Sequence, residues 1–134
     1  MSTVIKTDKV KLSSSAETVF KYLEDFNNLN QLIPVDKISD WKSDFDNCSF
    51  KIQNAATIAL KKESVEPNSK INIVSGEGAP FKFTLVAHIE EDGSGSNAHL
   101  VFDGEINPFL KMMVVKPLEN LFNFMTERLK RVHG

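Results

Sequence analysis

Residues 107–132 constrain the fold most, because they have the pattern of one long amphipathic helix. Their large apolar residues recur every three or four positions and would form a single stripe, whereas polar residues fall on the opposite side. A stripe of this length must be buried against other structure, so we expect the rest of the chain to cover it. The stripe consists of Leu110, Val114, Leu118, Leu121, Met125, Leu129 and Val132.

Three residues mark the start and the middle of this predicted helix. The side chain of Asn107 can cap the first free amides, and Pro108 would occupy the first helical position, where its missing N–H costs nothing. Pro117 lies inside the helix, where a proline removes a backbone hydrogen bond and clashes with the preceding turn. We therefore expect a kink or a break at Pro117.

The segment before this proline, residues 109–115, is apolar on nearly all sides. In a straight helix, Phe109 and Met112 would point away from the stripe. Two interpretations remain open at this point. Either neighbouring structure buries the segment on several sides, or the segment forms a movable lip over a cavity or a surface for a partner.

Composition limits the classes of function. With 134 residues and 41% hydrophobic content, the chain is large enough for one domain, residues 1–134, with a full core. Its net charge of -2 offers no basic surface for nucleic acid. Cys48 is the single cysteine, and we find neither a secretion signal nor the run of about 20 apolar residues that spans a membrane. We therefore expect a cytoplasmic protein that binds no nucleic acid.

Upstream of the helix, the sequence predicts one strand, two short helical segments and a run of further strands. Residues 3–12 alternate loosely, residues 16–26 have an apolar helical face after a serine cap, and residues 27–32 add another turn or two. Turn residues then separate segments with a period of two, and their short connections imply antiparallel neighbours. These predicted strands are residues 37–42, 48–54, 57–65, 70–75, 81–91 and 97–106.

Alternation along these strands assigns one apolar face to the core. From residue 81 to residue 89 every second residue is apolar, and the following strand repeats the pattern through Phe102. Cys48 falls on the same inner face among apolar neighbours, so we interpret it as a core residue rather than a nucleophile. The inner face therefore carries almost no titratable group, and we identify no catalytic residue.

Two histidines fall on the outer face. A tight turn at residues 92–95 would place His88 directly opposite His99. Two facing imidazoles, with Glu90 or Glu105 nearby, would suit zinc or nickel. Functional metal sites usually lie in clefts, so we interpret the histidines as a solvated pair and predict no metal site and no cofactor.

The order of the predicted elements resembles the START-like superfamily, also called SRPBCC, over essentially the whole chain. The first-helix pattern is similar to that of many polyketide-cyclase-like members, and the opening of the last helix also matches. The residues that carry this resemblance are Ala16, Val19, Phe20, Leu23 and Asp25 followed by Pro34, and the pair Asn107 and Pro108.

The resemblance implies an α+β helix-grip fold. In this fold, a curved antiparallel sheet of about seven strands wraps around the long C-terminal helix, and two short helices follow the first strand. An apolar cavity between sheet and helix is used in relatives to carry lipids, sterols, quinones, polyketides or plant hormones.

The sequence also departs from particular branches of the superfamily. The plant allergen branch has a glycine-rich loop where this chain has residues 43–47, which contain no glycine. Gly76 and Gly78 lead into a predicted strand rather than a helix, so we interpret them as a turn and not as a phosphate-binding loop. The ring-hydroxylase branch binds iron through histidines and a carboxylate, and no matching set is present in this sequence.

Three functional hypotheses follow, of which we favour the first. It is a binding or carrier module for a small hydrophobic molecule such as a lipid, a quinone or a polyketide, with an apolar cavity between the sheet and the C-terminal helix. The candidate lining residues are Phe50, Ile52, Ile73, Phe83, Leu85, Phe102, Leu121, Phe124 and Met125.

The two alternatives belong to other classes. A cyclase-type enzyme acting by cavity shape would need a buried polar side chain near the cavity, with Asn54, Thr57 and Ser75 as candidates. A protein-interaction domain, such as a homodimer, would use residues 109–115 as its contact surface. That third hypothesis requires an exposed Phe109 and an exposed Met112, together with an interior filled by side chains.

Overall fold

The computed structural model describes residues 2–52 and 56–134. Their strands form one antiparallel curved sheet that packs against a long C-terminal helix, so the predicted α+β helix-grip fold is confirmed. The elements are β1 (Thr3–Lys6), β2 (Val10–Leu12), α1 (Ala16–Glu24), a 3-10 helix (Phe26–Gln31), β3 (Ile38–Ser43), β4 (Asn47–Ile52), β5 (Thr57–Glu66), β6 (Lys70–Ser75), β7 (Phe83–Asp92), β8 (Gly95–Gly104) and α2 (Pro108–His133).

The sheet has the strand order β1-β8-β7-β6-β5-β4-β3, and β2 also pairs with β8. Strands β3 to β8 are thus joined to their sequence neighbours, as the short connections predicted. The sheet has eight strands rather than about seven because the predicted first strand is divided in two. The hydroxyl of Thr7 accepts a hydrogen bond from the Leu100 amide at 2.9 Å, and the chain leaves the ladder before β2 begins.

Helix α2 begins as predicted. The side chain of Asn107 accepts a hydrogen bond from the Leu110 amide at 2.9 Å, and Pro108 is the first helical residue. Of the kink or break predicted at Pro117, the break does not occur, since α2 continues through the proline to His133. Val114 and Leu118, on either side of the proline, are each 1% exposed. Their burial keeps both halves packed on the sheet, so tertiary packing outweighs the local cost of proline.

Helix α1 and the 3-10 helix lie over the same face of the sheet. Ser15 caps α1 by accepting a hydrogen bond from the Thr18 amide at 3.2 Å, and Asp25 caps the 3-10 helix through the Asn27 amide at 3.0 Å. The C-terminus of α2 reaches the start of α1, where the His133 carbonyl accepts hydrogen bonds from the Ser13 and Ser14 amides, each at 3.0 Å. These contacts enclose the interior between sheet and helices.

The inner face of the sheet forms the core, as the alternation predicted. The residues at positions 48, 50 and 52, at 71 and 73, and at every second position from 81 to 89 are all buried. In the part of the chain that the structure describes, no helix combines the length and apolar character of a membrane span.

Candidate ligand site

A small apolar cavity lies between the centre of the sheet, the two N-terminal helices and the C-terminal half of α2. Its volume is about 30 Å³, about two to three times the roughly 10–15 Å³ that a cavity needs to hold one water molecule. Sites for drug-sized ligands span roughly 300–1,000 Å³. A larger ligand therefore requires the lining to move. The bordering residues are Leu23, Phe26, Leu29, Leu32, Leu60, Ile71, Ile73, Leu85, Ala87, His88, Ala98, His99, Leu100, Met125, Thr126 and Leu129.

The lining offers almost no polar chemistry. Because strand residues alternate between faces, the side chains of His88 and His99 lie on the outer face while buried Ala87 and Ala98 face the cavity. The hydroxyl of Thr126 is the polar side-chain group of the inner lining, and it donates to the Asn123 carbonyl at 3.1 Å. An uncharged ligand with few polar atoms fits this environment.

An aromatic cluster fills the interior beside the middle of α2. The ring of Phe102 lies 5.3 Å from the ring of Phe83 and 5.5 Å from the ring of Phe122. Phe81 contacts the same cluster, with its ring centroid 5.8 Å from that of Phe83. The space that a large ligand would occupy next to these residues is therefore taken by side chains.

The structure brings only part of the predicted lining to the cavity. Ile73, Leu85 and Met125 border it. The other predicted residues on the sheet and Leu121 are buried but lie outside the cavity border, namely Phe50, Ile52, Phe83, Phe102 and Leu121.

Phe124, the remaining predicted lining residue, lies away from the cavity. It is 41% exposed and borders a surface groove with Val35 and Arg128. Phe122, which is 3% exposed, contacts Phe102 instead. The spacing of four from Leu118 to Phe122 would have identified it as an inner residue.

One wall of the cavity was absent from the predicted lining. Leu23 on α1 and Phe26 and Leu29 on the 3-10 helix all border it. The apolar periodicity of residues 16–26 contains the signal for Leu23, whereas no periodicity could have placed the irregular 3-10 segment. Thr126 was missed because it is polar, and a polar residue next to the apolar stripe is expected on the surface of the helix.

Two of the three candidates for a buried polar group, Thr57 and Ser75, do not border the cavity. Thr57 is exposed, and Ser75 is half-buried with its hydroxyl 3.4 Å from the Phe83 amide, which donates to it. Asn54 lies outside the described residues. Burial raises the pKa of the Cys48 thiol to about 12, with a further contribution from Asp44, so this cysteine is protonated and unreactive at neutral pH.

We call α1 and the 3-10 helix, which together form one side of the cavity, the helical wall. Polar contacts hold this wall at both ends. The Lys62 ammonium, whose side chain is 7% exposed, donates to the Glu24 carbonyl at the end of α1 and pairs with the Asp46 carboxylate at 3.1 Å. It also lies 3.8 Å from the ring centroid of Phe45. At the other end the Arg128 side chain donates to the carbonyl of the last 3-10 residue at 3.2 Å.

Hydrogen bonds also hold the middle of the wall, from the Asn28 side chain to the Tyr22 carbonyl at 3.0 Å and from the Ser43 hydroxyl to the Asn27 side chain at 2.7 Å. The side chains of the wall that border the cavity make apolar contacts, which can form again around a ligand.

The histidine pair occupies the outer face. His88 and His99 are directly opposite in the β7-β8 register, as the predicted turn requires, and their rings stack at 4.7 Å. Burial lowers the pKa of both imidazoles, and the positive charge of Lys9 lowers each further. Nearby lysines also disfavour a metal cation. The described residues contain no group of three or more His, Cys, Asp or Glu side chains placed to hold a metal ion.

Comparison with solved structures identifies the fold of this chain, whereas comparison of the sequence finds no match. No family model matches the sequence, and no curated protein matches it. The structure is similar to a START superfamily protein from Mycobacterium smegmatis, at 17% identity over 96% of this chain and 98% of that chain, with a TM-score of 0.67. The chain has the START-like helix-grip fold.

Two further solved structures support this START-like fold. A point mutant of norcoclaurine synthase from Thalictrum flavum, in complex with a transition-state analogue, has a TM-score of 0.71 at 13% identity over 98% of this chain and 94% of that chain. A conserved protein from Geobacillus kaustophilus has a TM-score of 0.69 at 12% identity over 98% of this chain and 94% of that chain. At these identities the similarity establishes the fold alone.

Proposed function

We propose that this chain binds a small apolar molecule in the cavity between sheet, helical wall and α2. The observation that carries the proposal is the lining, which is apolar on every inner side except for the Thr126 hydroxyl. Such a site favours uncharged, poorly soluble ligands, because burying a charged group there would leave it without a partner. The START-like fold agrees with a carrier role of this kind.

Binding must be coupled to movement of the lining, since the cavity holds only about 30 Å³. Two parts of the lining are suited to move. Met125 has an unbranched side chain that adapts to irregular spaces. The 3-10 helix carries Phe26 and Leu29, and the hydrogen bonds within a 3-10 helix have poorer geometry than those of an α-helix. Only the molecules in which the wall is open can bind, so the apparent affinity for the ligand falls as the open fraction falls.

Binding or carriage fits the lining better than cyclisation. Catalysis would need a group that can move a proton at the ligand. The Thr126 hydroxyl already donates to the Asn123 carbonyl, and a threonine hydroxyl is a poor acid and a poor base near neutral pH. We therefore infer a site whose selectivity comes from shape and apolar contact.

A matched pair of leucine variants tests the site. Leu118 and Leu129 both lie on α2 and are 1% and 4% exposed, but only Leu129 borders the cavity. Each Leu→Ala change should lower the free energy of unfolding by about 2–5 kcal/mol. Leu129→Ala should also strengthen binding of the uncharged dye N-phenylnaphthylamine severalfold, measured by fluorescence titration, because the enlarged cavity accommodates the dye more easily.

Leu118→Ala is the control and should leave dye affinity unchanged. If the wild type and Leu129→Ala both fail to bind the dye, or if the two variants change its affinity equally, the cavity is not the binding site. Native mass spectrometry of the purified protein, followed by solvent extraction of any bound molecule, would then identify the chemical class of the natural ligand.

A further inference from the structure

Thr126 is a buried polar residue in an otherwise apolar site. Its side chain is 5% exposed and lies on the inner side of α2 between Phe122 and Leu129, which are 3% and 4% exposed. Exposed residues of the same helix, such as Phe109 at 73% and Met112 at 88%, have no surroundings among the described residues that identify a partner. Thr126 borders the cavity, so its chemistry bears on what the cavity binds.

The position does not require a hydroxyl for packing. Valine has almost the shape of threonine and would fill the same space without a polar atom. Burying a hydroxyl costs free energy unless hydrogen bonds compensate for it. Valine and threonine also have similar helix propensities. Neither packing nor helix formation therefore accounts for a threonine at position 126.

The hydroxyl of Thr126 uses its proton within the helix. It donates to the Asn123 carbonyl at 3.1 Å, which the regular helix also supplies with the amide of residue 127. A hydroxyl has one donor and two acceptor sites. No described residue donates to the Thr126 oxygen, so its acceptor sites are free for a ligand.

The rest of the described lining supplies no hydrogen-bond donor. Its inward side chains are apolar, and the amides of its strands and helices are bonded within those elements. Two further amides beside the cavity are also used, since the Leu100 amide donates to the Thr7 hydroxyl at 2.9 Å and the Leu32 amide donates to the Leu29 carbonyl at 3.0 Å. The cavity therefore offers a ligand an acceptor and no donor.

We infer that the ligand of this cavity is an apolar alcohol or phenol whose hydroxyl donates to Oγ1 of Thr126. This ligand class rests on the proposed function and refines it. A neutral hydroxyl brings the proton that the Thr126 oxygen can accept, and the rest of the molecule meets apolar side chains. A quinone or an ether carries acceptors alone and would leave them unpaired, and a carboxylate or an alkylamine would bury a charge.

Displacement of N-phenylnaphthylamine by two naphthalenes of similar size tests this ligand class, once the dye has been titrated with each variant. 1-Naphthol carries a hydroxyl where 1-methylnaphthalene carries a methyl group. Thr126→Val should weaken binding of 1-naphthol roughly fivefold, as expected for one lost hydrogen bond, and should not weaken binding of 1-methylnaphthalene. Thr126→Ser keeps the hydroxyl and should keep the ratio of the two affinities close to that of the wild type.

The ratio of the two affinities separates a contact with the ligand from a structural role. A threonine that only shapes the site affects both compounds alike, so an unchanged ratio in Thr126→Val would overturn the assignment and leave the proposed function intact. Equal changes of the ratio in Thr126→Val and Thr126→Ser would also overturn it, because serine retains the acceptor.

A second variant and the dye itself complete the test. Thr126→Ala also lacks the acceptor and should shift the ratio in the same direction as Thr126→Val, and urea unfolding checks that each variant is folded. Opposite shifts in these two variants would contradict the assignment. If the wild type binds neither the dye nor either naphthalene, the proposed function fails and the ligand class fails with it.

Discussion

Gly104 lies where Phe102 folds its ring back over the strand. A Cβ atom at position 104 would lie 2.7 Å and 2.8 Å from two ring atoms of Phe102 and 3.3 Å from the Cβ of Phe83. Gly104→Ala should therefore displace the Phe102 ring from the aromatic cluster and lower the free energy of unfolding by about 1–3 kcal/mol. Urea unfolding followed by the fluorescence of Trp41 measures this loss.

Gly76 provides the matched control at the residue scale. Its added Cβ would lie 3.3 Å from the Cβ of Ala59, a contact that a small shift relieves. Gly76→Ala should cost less than about 1 kcal/mol. Equal losses in the two variants would mean that Phe102 does not depend on the missing side chain at position 104.

For single interior residues, the sequence predicted which face of the sheet they lie on, but not which side chains they contact. Alternation placed Leu85 and Phe102 on the inner side, and both are 1% exposed. It could not tell that Leu85 borders the cavity while Phe102 packs against Phe122, because that choice depends on rotamers and on distances between distant segments. Phe124 differs from Phe122 by two positions, which is enough to move a side chain from one side of a helix towards the other.

At the scale of elements, Lys62 joins β5 to the helical wall. Its ammonium contacts the Glu24 carbonyl, the Asp46 carboxylate and the Phe45 ring, and the Phe26 ring centroid lies 5.4 Å away. Lys62→Met should lower the free energy of unfolding by about 1–3 kcal/mol, because the half-buried Glu24 carbonyl loses its donor. It should also speed uptake of N-phenylnaphthylamine, since the wall opens more readily. Stopped-flow fluorescence measures the uptake rate.

Lys70 is the control for this element. It pairs with Glu66 at 3.7 Å, and both side chains are well exposed. Lys70→Met should change the free energy of unfolding by less than about 1 kcal/mol and leave the uptake rate as in the wild type. If Lys62→Met matched Lys70→Met in both measurements, the helical wall would not depend on the Lys62 contacts.

The element order was predictable because each segment carries its own periodicity and its own turn residues. Two local features were not. The hydroxyl of Thr7 replaces a ladder contact and divides the first strand, which no alternation pattern records. Pro117 was expected to kink or break α2, yet the helix continues through it, because buried Val114 and Leu118 keep both halves packed on the sheet. In both cases, a contact from a distant part of the chain decided the local structure.

At the scale of the whole molecule, the sequence predicted a sheet around a helix but could not give the volume left between them. That volume is a small difference between the enclosed space and the side chains that fill it at close packing. Ten phenylalanines are present, and Phe83, Phe102 and Phe122 meet in the interior beside α2. The cavity thus depends on their arrangement rather than on their number.

Stability of the whole molecule should fall in mild acid, because the pKa of all three histidines is lowered in the folded state. Burial is the main cause for His88, His99 and His133. The positive charge of His99 further lowers the pKa of His88, and the positive charge of Lys9 lowers the pKa of both. Lys70 adds to this effect on His88, whereas Glu90 partly opposes it on His99. Below the usual value of 6.5, the unfolded chain takes up protons that the folded protein resists. The free energy of unfolding therefore decreases as the pH falls.

Urea unfolding at about pH 7.5 and about pH 5 measures this decrease, and most carboxyl groups remain ionised at both values. The double variant His88→Gln and His99→Gln should lose part of the pH dependence, because the stacked pair no longer titrates. His133→Gln should lose another part, since His133 Nδ1 lies 3.1 Å from the Ser14 hydroxyl and its Nε2 is buried without a partner among the described residues. Equal stability at the two pH values in the wild type, or an unchanged slope in both variants, would show that the folded state binds these protons as readily as the unfolded chain.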